Sequence, residues 1–213
     1  MSNFNFSWLY ENFTEDSVFF DIGCADMDDS IQIRKNFLNS KIYAFECNND
    51  FLVSNISNAN SFNIQYRHCA IGEENSICTF YPSGTFHGQK WSYSGSICKP
   101  GTPLMSDEWS WAEPYSVESK TIETICIEEN VHPDFIWIDA QGAEQKILSK
   151  MGIFKPKAIW AETCEFTRYE GTGTTNEGFK KFMDELGYIE FHYDGADSLF
   201  TLKDVTFTSY VKK

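Results

Sequence analysis

What most constrains this chain is a short apolar run that stops at a glycine, followed one helix later by a second apolar run that stops at an acid. Val18 to Ile22 ends at Gly23, and Asp28 to Leu38 then places Ile31, Ile33, Phe37 and Leu38 at helical spacing. Ile42 to Phe45 ends at Glu46, and Asn48 to Ile56 opens with an asparagine cap and carries Phe51, Leu52 and Ile56. Apolar runs this short, alternating with helical patterns, are the start of a β-α-β-α unit. Parallel strands joined in this way must be covered by helices on both faces.

The alternation continues. A third strand is expected over Ile64 to Ala70, with Ile77 to Tyr81 and Tyr115 to Ile122 extended on either side of a Gly-, Ser- and Trp-rich insertion at about 84–114. Glu123 to Glu129 reads as a short helix, and Phe135 to Ile138 as a buried strand leading into Asp139. Ala143 to Met151 reads as a helix closed by Gly152. Ala158 to Glu162 gives a further strand and Asn176 to Leu186 an amphipathic helix ended by Gly187. Tyr188 to Tyr193 and Phe200 to Tyr210 form a hairpin across Asp194-Gly195. The prediction is α/β: one doubly wound, mostly parallel sheet with an antiparallel C-terminal hairpin, residues 1–213 forming one domain.

A formal net charge of -14 repels nucleic-acid phosphates and anionic membrane surfaces, and the basic pairs are only Arg34-Lys35 and Lys212-Lys213. The expected partner is therefore a small or neutral molecule, with no nucleic acid and no membrane. Cys24, Cys47, Cys69, Cys78, Cys98, Cys126 and Cys164 are scattered singly and read as reduced thiols. With no leader-like or spanning segment, they point to the cytoplasm. Glu162, Glu165 and His192 are too dispersed for a metal set, so a metal-independent protein is expected. The absence of a G-x-S-x-G turn disfavours a serine hydrolase.

In such a sheet ligands sit beyond the carboxyl ends of the strands. Those ends are polar here: Asp21-Ile22-Gly23-Cys24-Ala25-Asp26, Glu46-Cys47-Asn48 and Asp139-Ala140-Gln141-Gly142. An acid closing the second strand can accept both ribose hydroxyls of an adenosine, which makes Glu46 the nucleoside anchor. A dinucleotide also needs a G-x-G-x-x-G turn for its pyrophosphate. Only Gly23 is present, and Asp26, Asp28 and Asp29 place negative charge where phosphates would lie. S-adenosylmethionine has no phosphate and carries a positive sulfonium, so it suits an acidic turn, although Asp28 and Asp29 equally suit a helix start. Asp21, inside the strand end, must be hydrogen-bonded to turn amides or to the ligand.

Phe20-Asp21-Ile22-Gly23-Cys24-Ala25, Tyr43-Ala44-Phe45-Glu46-Cys47-Asn48, Cys69-Ala70-Ile71-Gly72 and Trp137-Ile138-Asp139-Ala140-Gln141-Gly142-Ala143-Glu144 together resemble the successive motifs of FkbM-type methyltransferases, over about Val18 to Gly187. The resemblance implies a Rossmann-like class I methyltransferase fold, S-adenosylmethionine as donor, and O-methylation of a sugar, glycan or small hydroxylated metabolite. It also implies that Asp21, Gly23 and Ala25 form the turn beneath the methionine part, that Glu46 holds the ribose, that Cys47, Cys69 and Ala70 border the adenine, and that Asp139 closes the methionine side. Met27 and Gln141 depart from the family pattern, where another glycine and a glutamate are commoner.

Methyl transfer is an in-line displacement that depends on alignment, with a base needed only for the hydroxyl proton. Asp139 is the first candidate for base or acceptor-orienting group and Glu162 the second; a cofactor-binding carboxylate and a strand-end acid satisfied by amides are their respective alternatives. Phe86, His87, Trp91, Tyr93, Trp109 and Trp111 in the insertion either stack on a sugar or roof the sheet edge. His87 reads as structural or solvated. The alternatives to a methyltransferase are a nucleotide (NAD)-dependent oxidoreductase and a non-catalytic domain that kept the fold.

Overall fold

The structure, a computed structural model, describes residues 4–101, 109–163, 169–170 and 175–210. In chain order these hold α1 (Phe6–Asn12), β1 (Val18–Ile22), α2 (Asp28–Asn36), β2 (Lys41–Phe45), a 3-10 turn (Asn49–Phe51) running into α3 (Leu52–Phe62), and β3 (Gln65–Arg67). Next come β4 (Ala70–Ile71), β5 (Ser76–Phe80), β6 (Ser83–Phe86), β7 (Gln89–Lys90), β8 (Trp109–Trp111), β9 (Tyr115–Lys120) and α4 (Ile122–Glu129). Last are β10 (Phe135–Ile138), α5 (Glu144–Leu148), β11 (Ala158–Glu162), α6 (Asn176–Glu185), β12 (Tyr188–Tyr193) and β13 (Asp197–Leu202). Cys164, Glu165 and the Lys212-Lys213 pair, as well as part of the insertion, lie outside the described residues.

Seven strands form one sheet in the order β12-β13-β11-β10-β1-β2-β3. β1 pairs in parallel with both β2 and β10, and β10 with β11; β13 alone runs against its neighbours. The continuous apolar sequence of the central strands follows from their burial on both faces. Successive side chains alternate sides, so Phe20, Ile136 and Ile138 enter one core with α4, α5 and α6, whereas Phe19, Phe135 and Trp137 enter the other with Phe4, Trp8 and Ile33. The mostly parallel α/β sheet with its antiparallel end is thus as expected.

Four local expectations are corrected. The run Ile64 to Ala70 is two strands in different sheets, β3 at the edge of the main one and β4 beside β9 in a three-stranded sheet β4-β9-β5. The second hairpin strand ends at Leu202 instead of Tyr210 because the following segment is drawn onto α1: Trp8 donates its indole N–H to the Thr208 carbonyl at 2.9 Å, and the Asn5 amide reaches the Tyr210 hydroxyl at 2.6 Å. The insertion has strands of its own, β7-β6-β8, too short to show a period in sequence. The helical run capped by Asn48 opens as a 3-10 turn before α3, and of its expected apolar face Phe51 is buried but Ile56 is 49% exposed, while Asn55 is fully buried beside Ala59.

Arg34 shows how the far side of the sheet is held. Its buried guanidinium donates to the carbonyls of Phe37, Leu38, Ser40 and Asn63 at 2.8–2.9 Å, satisfying the loops that leave α2 and α3.

Candidate active site

The carboxyl ends of β1, β2 and β10 open into a concave cleft with a cavity volume of about 110 Å³. Gly23, Ala25, Glu46, Cys47, Cys69, Ala70 and Asp139 all line it, so the structure brings most of the residues expected to hold the cofactor into one concavity. Asp21 is not part of the lining. It lies beneath the turn, 2% exposed, and its Oδ2 accepts the Ser30 hydroxyl at 2.5 Å. Burial, followed by the charges of Asp29 and Glu46, raises its pKa to about 8 against the Ser30 hydrogen bonds.

The turn after β1 is built on the end of β2. Gly23 and Cys24 both donate their amides to the Phe45 carbonyl, at 2.9 and 3.1 Å. Glu46 Oε2 accepts the Ala25 amide at 3.0 Å, and Oε1 accepts the Asn48 amide at 2.7 Å. A carboxylate offers about four acceptor positions, so these amides leave acceptor capacity for a hydroxyl of a bound ligand. Burial raises the Glu46 pKa to about 7, opposed by these backbone bonds. Gly23, Ala25 and Met27 all have positive φ, at 78°, 43° and 67°. Met27 itself takes the left-handed conformation that a glycine would supply, and its side chain is wholly buried in the core, so the departure from the family pattern leaves the turn intact.

Gly23 is needed for space as well as for its φ. A Cβ there would lie 2.0 Å from the Asp139 carbonyl oxygen, part of the backbone that closes the cleft from β10. Gly23→Ala should destabilise the fold by about 3 kcal/mol and remove S-adenosylhomocysteine binding, as read by thermal melting and calorimetry. Unaltered affinity would show that the close approach is not what shapes the cleft.

At the β10 end, Asp139 is open to the cleft, and Gln141 bridges it to Glu162. The Gln141 amide nitrogen donates to Asp139 Oδ1 at 2.6 Å and to Glu162 Oε2 at 2.9 Å. Enclosure by the cleft walls and then the charge of Glu162 raise the Asp139 pKa well above the usual range, opposed by Gln141. Glu144 is buried, its Oε1 accepting the amides of Ala140 at 2.8 Å and Gly142 at 3.2 Å. Burial, followed by Glu162, raises its pKa to about 7. Asp139, Glu144 and Glu162 each offer an oxygen within 4.8 Å of the others, a grouping unlike the Glu162, Glu165 and His192 set weighed from spacing. The sequence marked Gln141 only as a departure; its bridging role follows from a left-handed φ of 50° that no spacing rule exposes.

The outer wall comes from the insertion. Asn48 donates its side-chain amide to the Ser92 carbonyl at 2.9 Å, and Asp50 takes the Ser92 hydroxyl at 2.6 Å and Lys90 Nζ at 2.8 Å. Tyr93 donates to Asp26 at 3.0 Å, and Ser96 to the Gln141 carbonyl at 2.8 Å. Residues 90–96 therefore run over the ends of β2, β1 and β10 in turn. The rings of Phe51, Tyr93, Trp91, Phe86 and Trp109 follow one another at centroid separations of 4.4–5.9 Å from the cleft wall outward. His87 does not line the cleft; with Gly88 it makes the positive-φ turn of the β6–β7 hairpin.

Among the described residues lining the cleft, Glu46 and Asp139 are the acids, and none is Lys or Arg. Such a lining favours a cationic sulfonium ligand over an anionic one.

Comparison with known proteins agrees. A family model, the methyltransferase FkbM domain, matches residues 21–190. The 2-O-methyltransferase NoeI of Sinorhizobium fredii (strain NBRC 101917 / NGR234) is 29% identical over 162 residues, 73% of this chain and 67% of that protein. Among solved structures, methyltransferase FkbM from Methylobacillus flagellatus KT superposes with a TM-score of 0.55 at 13% identity, covering 89% of this chain but only 44% of its own length. Precorrin-6y C5,15-methyltransferase from Geobacter metallireducens GS-15 gives 0.50 at 13% identity, over 92% and 84% of the two chains. This chain belongs to the FkbM methyltransferase family, and its methyl donor is S-adenosylmethionine.

Proposed function

We propose that the protein transfers methyl to a hydroxyl of a sugar, a glycan or a related small hydroxylated metabolite, with Glu46 holding the ribose, Cys47, Cys69 and Ala70 bordering the adenine, and Asp139 receiving the hydroxyl proton. The observation that carries this reading is the Asp139 carboxyl, open to the cleft at the end of β10 and fixed by Gln141 beside Glu162. S-adenosylmethionine, when bound, supplies an electrophilic methyl group on a positively charged sulfur. Asp139 orients and deprotonates the acceptor. Glu162 and Gln141 hold that carboxyl in place, and residues 90–96 keep water from the cleft. NoeI is by name a 2-O-methyltransferase, which supports transfer to oxygen. The row of aromatic rings leading out of the cleft suits the apolar faces of a sugar, and the net charge of -14 disfavours a polynucleotide.

In this reading transfer goes without a metal ion, and Asp139, Glu144 and Glu162, which each offer an oxygen within 4.8 Å of the others, act through their hydrogen bonds. The setting is cytoplasmic. The free thiols of Cys24, Cys47, Cys69, Cys78, Cys98 and Cys126 support this, and among the described residues no helix is long and apolar enough to cross a membrane.

Incubation with methyl-labelled S-adenosylmethionine and a panel of free sugars, oligosaccharides and hydroxylated metabolites should place label on an oxygen of one class, at a rate unchanged by a chelator. Label confined to added RNA or protein would overturn the acceptor assignment. A rate abolished by chelation and restored by magnesium would put an ion among Asp139, Glu144 and Glu162.

A further inference from the structure

Helix α3 buries Ala59 in the core yet carries a fully buried asparagine on the same inner face. Val53 and Ile56 face solvent, and the inward positions include Asn55, fully buried in mid-helix, with the half-buried Asn58 one turn on. Asparagine is a poor helix former, and the Asn55 Oδ1 has no hydrogen-bond partner, so what this residue contributes lies in the bonds of its Nδ2.

What Asn55 does is grip the turn after β1. Its Nδ2 donates to the Ala25 carbonyl at 2.7 Å, and Asn58 Nδ2 donates to the Asp26 carbonyl at 3.2 Å. The amide of the same Ala25 is held from the other side by Glu46 at 3.0 Å. Ala25 and Met27 are left-handed without being glycine, a conformation that persists only when the surroundings impose it. Asn55 and Glu46 impose it by clamping Ala25 front and back.

We infer that Asn55 is a positioning residue for the cofactor: by fixing Ala25 against the Glu46 carboxylate, it keeps the remaining acceptor positions of Glu46 turned toward the cleft. This rests on the reading of Glu46 as the ribose holder. Asn55 does not line the cleft and acts only through the turn.

Asn55→Leu tests it, because leucine keeps the branched shape, removes the donor and removes the orphaned oxygen. The variant should melt no lower than the parent, yet bind S-adenosylhomocysteine about tenfold more weakly by calorimetry. A merely structural residue would not separate the two readouts in this direction. Arg34→Lys, which loosens the far ends of α2 and α3, is the control and should lower the melting temperature while leaving the affinity of the folded protein unchanged. In a Glu46→Gln background the Asn55→Leu effect on affinity should largely vanish, since both act on the two peptide groups of Ala25. Unchanged affinity in Asn55→Leu beside a weakened Glu46→Gln overturns the positioning role alone, as does an undiminished Asn55→Leu effect in the Glu46→Gln background. Full affinity in Glu46→Gln overturns the ribose reading and the inference with it.

Discussion

Asp139→Asn should slow methyl transfer by about 10²- to 10⁴-fold, the range expected when a positioned base is removed, while S-adenosylhomocysteine affinity stays within about threefold. Asparagine keeps the shape of the side chain and can still accept from the Gln141 amide, so the cleft geometry is retained and the proton acceptor is lost. The parent Asp139 carries a raised pKa because it is enclosed and faces Glu162. Transfer should therefore climb with pH as that carboxyl ionises, and the variant should lose this limb of the profile. Single-turnover rates on the acceptor found by labelling, together with calorimetry, read both quantities. If affinity falls and the rate on bound cofactor does not, Asp139 is a cofactor ligand and the base lies elsewhere.

The ligand-free protein should lose stability steadily as pH rises from about 5 to about 8. Asp21, Glu46 and Glu144 are all buried, and burial raises their pKa values to about 8, 7 and 7. A carboxyl whose pKa is higher in the folded than in the unfolded chain binds its proton more tightly when folded. Its contribution is complete below the unfolded value, near 4, and is lost as pH climbs through the folded one. Shifts of two units or more at three sites amount to several kcal/mol, which is on the order of 10 °C in melting temperature for a chain of this size. Melting followed across buffers checks this, and a flat or rising curve over that window would show that these acids are ionised at little cost. Saturating S-adenosylmethionine should recover more of the lost stability at the alkaline end, where the carboxylates it meets are charged.

The strand positions were legible wherever burial on both sides demanded unbroken apolar runs: Val18 to Ile22, Phe135 to Ile138 and Ala158 to Glu162 begin and end where expected. The polar residues that stop those runs were legible for the same reason, which is why the sequence suffices to place Gly23, Glu46 and Asp139 together. What stayed hidden depends on contacts across long stretches of chain. The turn between Arg67 and Ala70 that sends β4 to another sheet has no local signature, nor does the capture of Thr208 by Trp8. The burial of Asn55 could not be read either, since the apolar pattern placed Ile56 on the inner face of the helix and the structure leaves it exposed. In each case a hydrogen bond to a distant segment outweighed local pattern.

The span from Lys90 to Ser96 is fastened over the cleft by bonds between side chains and loops in which Lys90, Ser92, Asp50, Tyr93 and Asp26 remain in reach of water. Fastenings of that kind can be exchanged singly for a water molecule at little net loss, whereas Ser94 and Ser96 are held beneath by buried bonds to Tyr169 and Tyr81. The span is therefore loosest where its outer side chains meet solvent and firmest where it touches the core, a gradient that favours yielding from the rim inward.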